Sequence, residues 1–130
     1  MELSKTKNTL LWVLQILLAI FYIAQAVLKL MGSEEVVANF KRWGFPSGFH
    51  LVIGGVELLG GLLLLFPKTA AYAAIGLILV MIGAAFTHIL NGEGAMVIMP
   101  IIPLLLLAVV AYFRGGWGTK GRLSRLDANQ

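Results

Sequence analysis

Four apolar stretches, separated by short polar connections, constrain the fold of this 130-residue chain more than any other feature. Each holds about 18–23 residues, enough for a helix rising about 1.5 Å per residue to cross a hydrocarbon core about 30 Å thick. The pattern predicts an all-α protein, a transmembrane four-helix bundle that forms a single membrane domain over residues 1–113. The predicted spans cover residues 9–31, 49–66, 69–90 and 96–113.

The composition agrees with a membrane location and excludes several kinds of site. Hydrophobic residues make up 59% of the chain and charged residues 12%, whereas a soluble domain carries about 25% charged residues. The chain has no cysteine, which excludes disulfides, iron–sulfur clusters and zinc–thiolate sites. We find no phosphate-binding loop and no other autonomous catalytic motif. The sequence therefore predicts no nucleic-acid partner and no metal site, and it leaves open whether the chain is an enzyme.

The distribution of lysine and arginine predicts the orientation in the membrane. With four spans, both termini and the connection after the second span lie on one side. That side carries seven basic residues and the other side three, and basic loops remain in the cytoplasm. We therefore expect a multi-pass protein of the inner (cytoplasmic) membrane, with both termini cytoplasmic and a basic tail over residues 114–130. The seven are Lys5, Lys7, Lys68, Arg114, Lys120, Arg122 and Arg125, and the three are Lys29, Lys41 and Arg42.

The connection between the first two spans predicts a short amphipathic helix on the membrane surface. Ser33 supplies a hydroxyl cap, and the two glutamates after it favour the positive end of a helix dipole. Apolar residues then recur at helical spacing, until Gly44 and Pro46 end the helix. This helix is either an interfacial anchor or a lid over a pocket between the spans. Its apolar residues are Val36, Val37, Phe40 and Trp43.

Three spans bring polar side chains to the outer half of the bilayer, while the inner half is expected to hold far fewer. Glu57 lies about 12 Å below the start of the second span, at about 1.5 Å per residue. Tyr22 shares a helix seam with Gln15, Gln25 and Lys29, with the 3-4 spacing of a face that packs on a neighbour. The predicted site consists of Tyr22, Gln25, Lys29, His50, Glu57, Thr87 and His88.

A glutamate inside a span allows a structural and a functional interpretation. Glu57 either holds the bundle together by bonding to Gln25 or Lys29, or carries protons or anchors a ligand, as intramembrane acids do in many transport and redox proteins. Lys29 stands near a helix end, where its long side chain is expected to reach toward the headgroups. In that case Glu57 is expected to be neutral.

Four motifs resemble those of the DoxX-like family of small membrane proteins. The resemblance covers residues 10–113, and its most specific part is the Gly-aromatic-Pro turn followed by Glu-Leu-Leu-Gly-Gly. It implies a four-span bundle. The family name comes from a subunit associated with thiosulfate:quinone oxidoreduction, other members are linked to redox stress defence, and distant relatives act as membrane chaperones. The motifs are Gln25–Lys29, RWGFPSG at 42–48, GGVELLGG at 54–61 and Thr87-His88.

Three functions are compatible with these residues. The first is a binding or accessory subunit of a membrane redox system, which holds a quinone or lipid-like molecule at the outer polar cluster. The second is a structural or chaperone protein that acts through helix contacts with a membrane protein partner or a second copy. The third is a small proton-coupled exporter in which Glu57 exchanges a proton for substrate.

Overall fold

The computed structural model describes residues 3–115, and this part of the chain is all-α. A short 3₁₀ helix, Gly94–Val97, precedes the last α-helix. Most of the predicted basic tail, residues 116–130, lies outside the described residues. The five α-helices are α1 (Lys5–Leu30), α2 (Glu34–Arg42), α3 (Phe49–Leu63), α4 (Ala70–Leu90) and α5 (Ile98–Gly115).

Four of these helices form the transmembrane bundle, and α2 lies between the first two of them. Three segments are long and apolar enough to cross a membrane: α1, α4, and α5 together with the 3₁₀ helix before it. The 15 residues of α3 are shorter, about 22 Å at about 1.5 Å per residue. The predicted second span continues to Phe66, but the helix ends at Leu63, since Pro67 has no N–H to donate to the Leu63 carbonyl. The Thr69 hydroxyl donates to that carbonyl instead, at 2.9 Å.

Glycines allow α1 and α3 to approach closely on the face that carries Glu57. A Cβ atom added at Gly61 would lie 3.3 Å from the Ala19 carbonyl oxygen. One added at Gly54 would lie 3.0 Å from the Cβ of Lys29. Small residues permit such backbone contacts between membrane helices. The two glycines therefore set the distance at which side chains of α1 meet those of α3.

The short helix predicted from the Ser33 cap is present as the amphipathic helix α2. The Ser33 hydroxyl accepts a hydrogen bond from the Val36 backbone N–H at 3.3 Å, and Gly44 follows the helix with a φ of 88°, a conformation that favours glycine. Phe40 is buried at the centre of an aromatic cluster that joins α2 to the start of α3. Its ring neighbours are Trp43, Phe45, Phe49 and His50.

Candidate functional site

The deepest charged pair joins α1 to α3. The Lys29 Nζ lies 2.8 Å from the Glu57 Oε1, and the two side chains are only 16% and 3% exposed. Glu57 thus faces the bundle interior, as its depth and helical face predicted. The expectation that Lys29 extends to the headgroups is wrong, because the close approach of the two helices at Gly54 brings its side chain beside the carboxylate.

Tyr22 lies on the same face of α1 as Lys29, two helical turns further into the bilayer. Its side chain is fully buried, and the hydroxyl lies within electrostatic range of Glu57. Among residues 3–115 it has no hydrogen-bond partner. A buried polar group left without a partner costs about 1–3 kcal/mol. Tyr22, Lys29 and Glu57 form the deep site, a group of polar side chains inside an otherwise apolar interior.

A second polar group, the rim cluster, centres on Glu93 between α4 and α5. One carboxylate oxygen accepts hydrogen bonds from Trp43 Nε1 at 3.0 Å and contacts His88 Nδ1 at 2.9 Å, while the other pairs with Arg42. Hydrogen bonding from Arg42, and then from His88, lowers the pKa of Glu93 to about 2. The carboxylate is therefore ionised at neutral pH and fastens the end of α2 to the connection between α4 and α5.

The remaining predicted site residues do not join the deep site. His88 contacts Glu93 rather than Glu57, and His50 packs against Phe40 with ring centroids 6.1 Å apart. Thr87 donates to the Gly83 carbonyl in its own helix at 2.8 Å. Gln25 is half-buried, and its side chain forms no hydrogen bond within residues 3–115. Of the seven predicted residues, three thus form the deep site, His88 belongs to the rim cluster, and the other three join neither group. Across the described residues no three His, Asp or Glu side chains could hold a metal ion.

A third polar group lies in the half of the bundle where α1 begins and α5 ends, which was expected to hold far fewer polar side chains. The fully buried Gln15 donates to the Leu64 carbonyl at 2.8 Å, and its amide oxygen accepts from Arg114 Nε at 2.6 Å. Arg114 also donates to Asn8 at 3.0 Å and lies over the Trp12 ring. This half still holds fewer polar side chains than the other, but Arg114, predicted to begin the tail, lies in the last turn of α5.

The spacing along α1 contains a signal for this third group. Asn8, Gln15, Tyr22 and Lys29 follow one another at intervals of seven residues, so they lie on one face of the helix. Three of the four have partners on other helices or on the turn after α3. Glu93 offered a weaker signal, because Gly-Glu-Gly at 92–94 has the composition of an ordinary turn.

Comparisons with known proteins place the chain beside membrane proteins of one family. The sequence profile described as the DoxX-like family matches residues 13–110. A protein of Bacillus subtilis (strain 168) named "Putative oxidoreductase CatD" is 30% identical over 74 residues, which are 57% of this chain and 55% of that protein. The match therefore spans about half the length of that curated relative. No solved structure matches the chain.

Proposed function

The chain belongs to the DoxX-like family of membrane proteins, and we propose that it is a binding or accessory subunit of a membrane redox system. In this proposal the deep site holds the polar head of a quinone-like molecule, while the apolar tail lies among the aliphatic side chains of the bundle. The buried Tyr22 hydroxyl, which has no partner among the described residues, carries the proposal.

The chemistry of the deep site suits a carbonyl or hydroxyl head group. The Tyr22 hydroxyl can donate a hydrogen bond to a quinone carbonyl or accept one from a quinol. The Lys29 ammonium can donate to a carbonyl, and the Glu57 carboxylate can accept from a hydroxyl. Ligand sites of this kind are mostly apolar, with a few polar groups that fix the orientation. The name of the Bacillus subtilis relative supports a redox context.

We also propose an orientation for the bundle. Lys5, Lys7, Lys68 and Arg114 lie at the end where α1 begins and α5 ends, and the described glutamates lie at or toward the other end. By the positive-inside rule the basic end faces the cytoplasm, so the deep site and the rim cluster belong to the outer half of the membrane. In this arrangement α3 and the turn after it form the second of the four membrane spans. Labelling of a C-terminal tag on intact cells tests the orientation, and a tag reached from outside would reverse it.

The test of the ligand proposal uses decylubiquinone and its quinol as probes. A ligand at 100 times its Kd stabilises a folded protein by about 2.7 kcal/mol, so we expect a higher Tm of the purified chain in detergent. Tyr22→Phe removes one hydroxyl and should weaken binding by about 1 kcal/mol, or about fivefold in Kd. Tyr72→Phe is the matched control, because Tyr72 is 71% exposed on α4.

The outcomes separate the proposal from a purely structural role. If neither probe raises the Tm, or if Tyr22→Phe responds as the control does, the deep site does not bind the head group. One observation favours a structural or chaperone protein as the second candidate, namely that Lys29–Glu57 already joins two helices. In that case loss of the pair would lower stability, while the quinone and the quinol would have no effect.

A further inference from the structure

The basic end of the bundle carries positive charge without any described acidic side chain. Lys5, Lys7, Lys68 and Arg114 lie there, whereas the four described glutamates are at positions 34, 35, 57 and 93, toward the opposite end. Charges of one sign, at the depth where helices leave the hydrocarbon, attract headgroups of the opposite sign. The ligand that this end attracts is therefore anionic.

An apolar groove of about 280 Å³ opens at this end between α1 and α5. On α1, Lys7, Leu10 and Leu14 line it from one helical face. On α5, Val109 and Phe113 line it four residues apart. Leu3 and Leu11 complete the lining. Lys7 provides the one charge of the lining, and its ammonium has no ion-pair partner within residues 3–115.

We propose that this groove binds an anionic phospholipid, with one acyl chain between α1 and α5 and the phosphate at Lys7. Apart from Lys7 the lining is aliphatic and aromatic, which suits a chain of methylenes. Helices α1 and α5 stand in a bilayer, where acyl chains already surround the groove, and the Lys7 position lies where headgroups begin. A zwitterionic lipid offers the same chain without the net negative charge, so Lys7 should distinguish the two.

The site is separate from the deep site. The deep site is built on Tyr22, Lys29 and Glu57, and none of these lines the groove. Binding of the lipid would join the start of α1 to the end of α5, beside the hydrogen bonds of Arg114 to Gln15 and Asn8. Failure of the quinone proposal would therefore leave this inference unaffected.

The experiment measures lipid binding to the full chain in a neutral detergent by native mass spectrometry. The probes are palmitoyl-oleoyl phosphatidylglycerol and phosphatidylcholine, which have the same acyl chains. We expect tighter binding of phosphatidylglycerol, and a loss of about fivefold with Lys7→Gln, because one basic residue near a membrane surface contributes about 1 kcal/mol. Lys68→Gln is the charge control, since Lys68 is exposed at the same end and does not line the groove.

A second pair of variants tests the groove itself. Leu10→Trp should fill it and weaken binding of both lipids, whereas Leu17→Trp, two turns along the same face, should not. The two leucines are 63% and 60% exposed, so neither substitution disturbs the core. Equal binding of the two lipids, or no effect of Lys7→Gln and Leu10→Trp, would overturn the proposal. A dimer that Leu10→Trp abolishes would instead assign the groove to a second copy of the chain and would also overturn it.

Discussion

Removing Lys29 from the Lys29–Glu57 pair should destabilise the protein more than removing Glu57. Lys29→Met leaves a carboxylate that is 3% exposed without its cation, and breaking a buried ion pair in this way costs about 3–5 kcal/mol. Glu57→Gln leaves Lys29 in the last turn of α1, from which its flexible side chain can reach the headgroups. The remaining loss is that of one charge-assisted hydrogen bond, about 1–3 kcal/mol.

The double variant makes this prediction quantitative. The double variant Lys29→Met/Glu57→Gln lacks both charges, so we expect it to be more stable than the single variant Lys29→Met. Reversible unfolding in mixed detergent micelles would measure the free energy of unfolding for the four proteins. Equal and additive losses in the two single variants would show that the charges are not coupled, and the assignment of the pair as the link between α1 and α3 would fail.

Three further predictions concern packing, the third polar group and the rim cluster. Gly60→Ala should destabilise the fold by about 1–3 kcal/mol, because the new Cβ would lie 2.8 Å from a buried leucine of α4. Gly55→Ala meets open space and should stabilise the fold by about 0.5–1 kcal/mol. Thermal unfolding of the two variants tests this difference. Gln15→Leu should cost about 1–3 kcal/mol in the same assay, since it leaves a buried carbonyl and a guanidinium N–H unpaired, and an unchanged stability would contradict this. Glu93→Gln should speed hydrogen exchange in α2, with Lys68→Gln, an exposed residue at the opposite end of the bundle, as control. Because the pKa of Glu93 is lowered to about 2, the docking of α2 should persist above about pH 4 and weaken as the pH falls toward 2; docking that weakened between pH 8 and pH 5 would count against this.

The sequence predicted the features that depend on local pattern. The length of the apolar stretches predicted the long helices, and the hydroxyl of Ser33 predicted the start of α2. The depth and helical face of Glu57 also predicted its interior position, and Lys29 was one of its expected partners. These predictions hold because helical periodicity fixes which residues share a face.

The features that the sequence did not predict depend on contacts between distant parts of the chain. Glu93 meets Arg42 across 51 positions and Arg114 meets Gln15 across 99, and no spacing rule for one helix links such positions. The partners of His50, His88 and Thr87 were not predicted for a related reason. Equal depth on separate helices does not fix the rotation of each helix about its axis, and this rotation directs His88 toward Glu93.

The polar face of α1 has a consequence for the order in which the bundle assembles during synthesis. The partners of Lys29 and of the Gln15 amide nitrogen lie on α3 and on the turn after it, so they are synthesised early. The partner of the Gln15 oxygen and of Asn8 is Arg114, at the end of α5. Translation at about 5–20 residues per second puts about 5–20 s between the synthesis of Gln15 and that of Arg114, which are 99 positions apart. During that interval α1 has its partners on α3 and the turn after it, while the Gln15 oxygen and Asn8 have no hydrogen bond to Arg114. The synthesis of α5 supplies these last hydrogen bonds and completes the bundle.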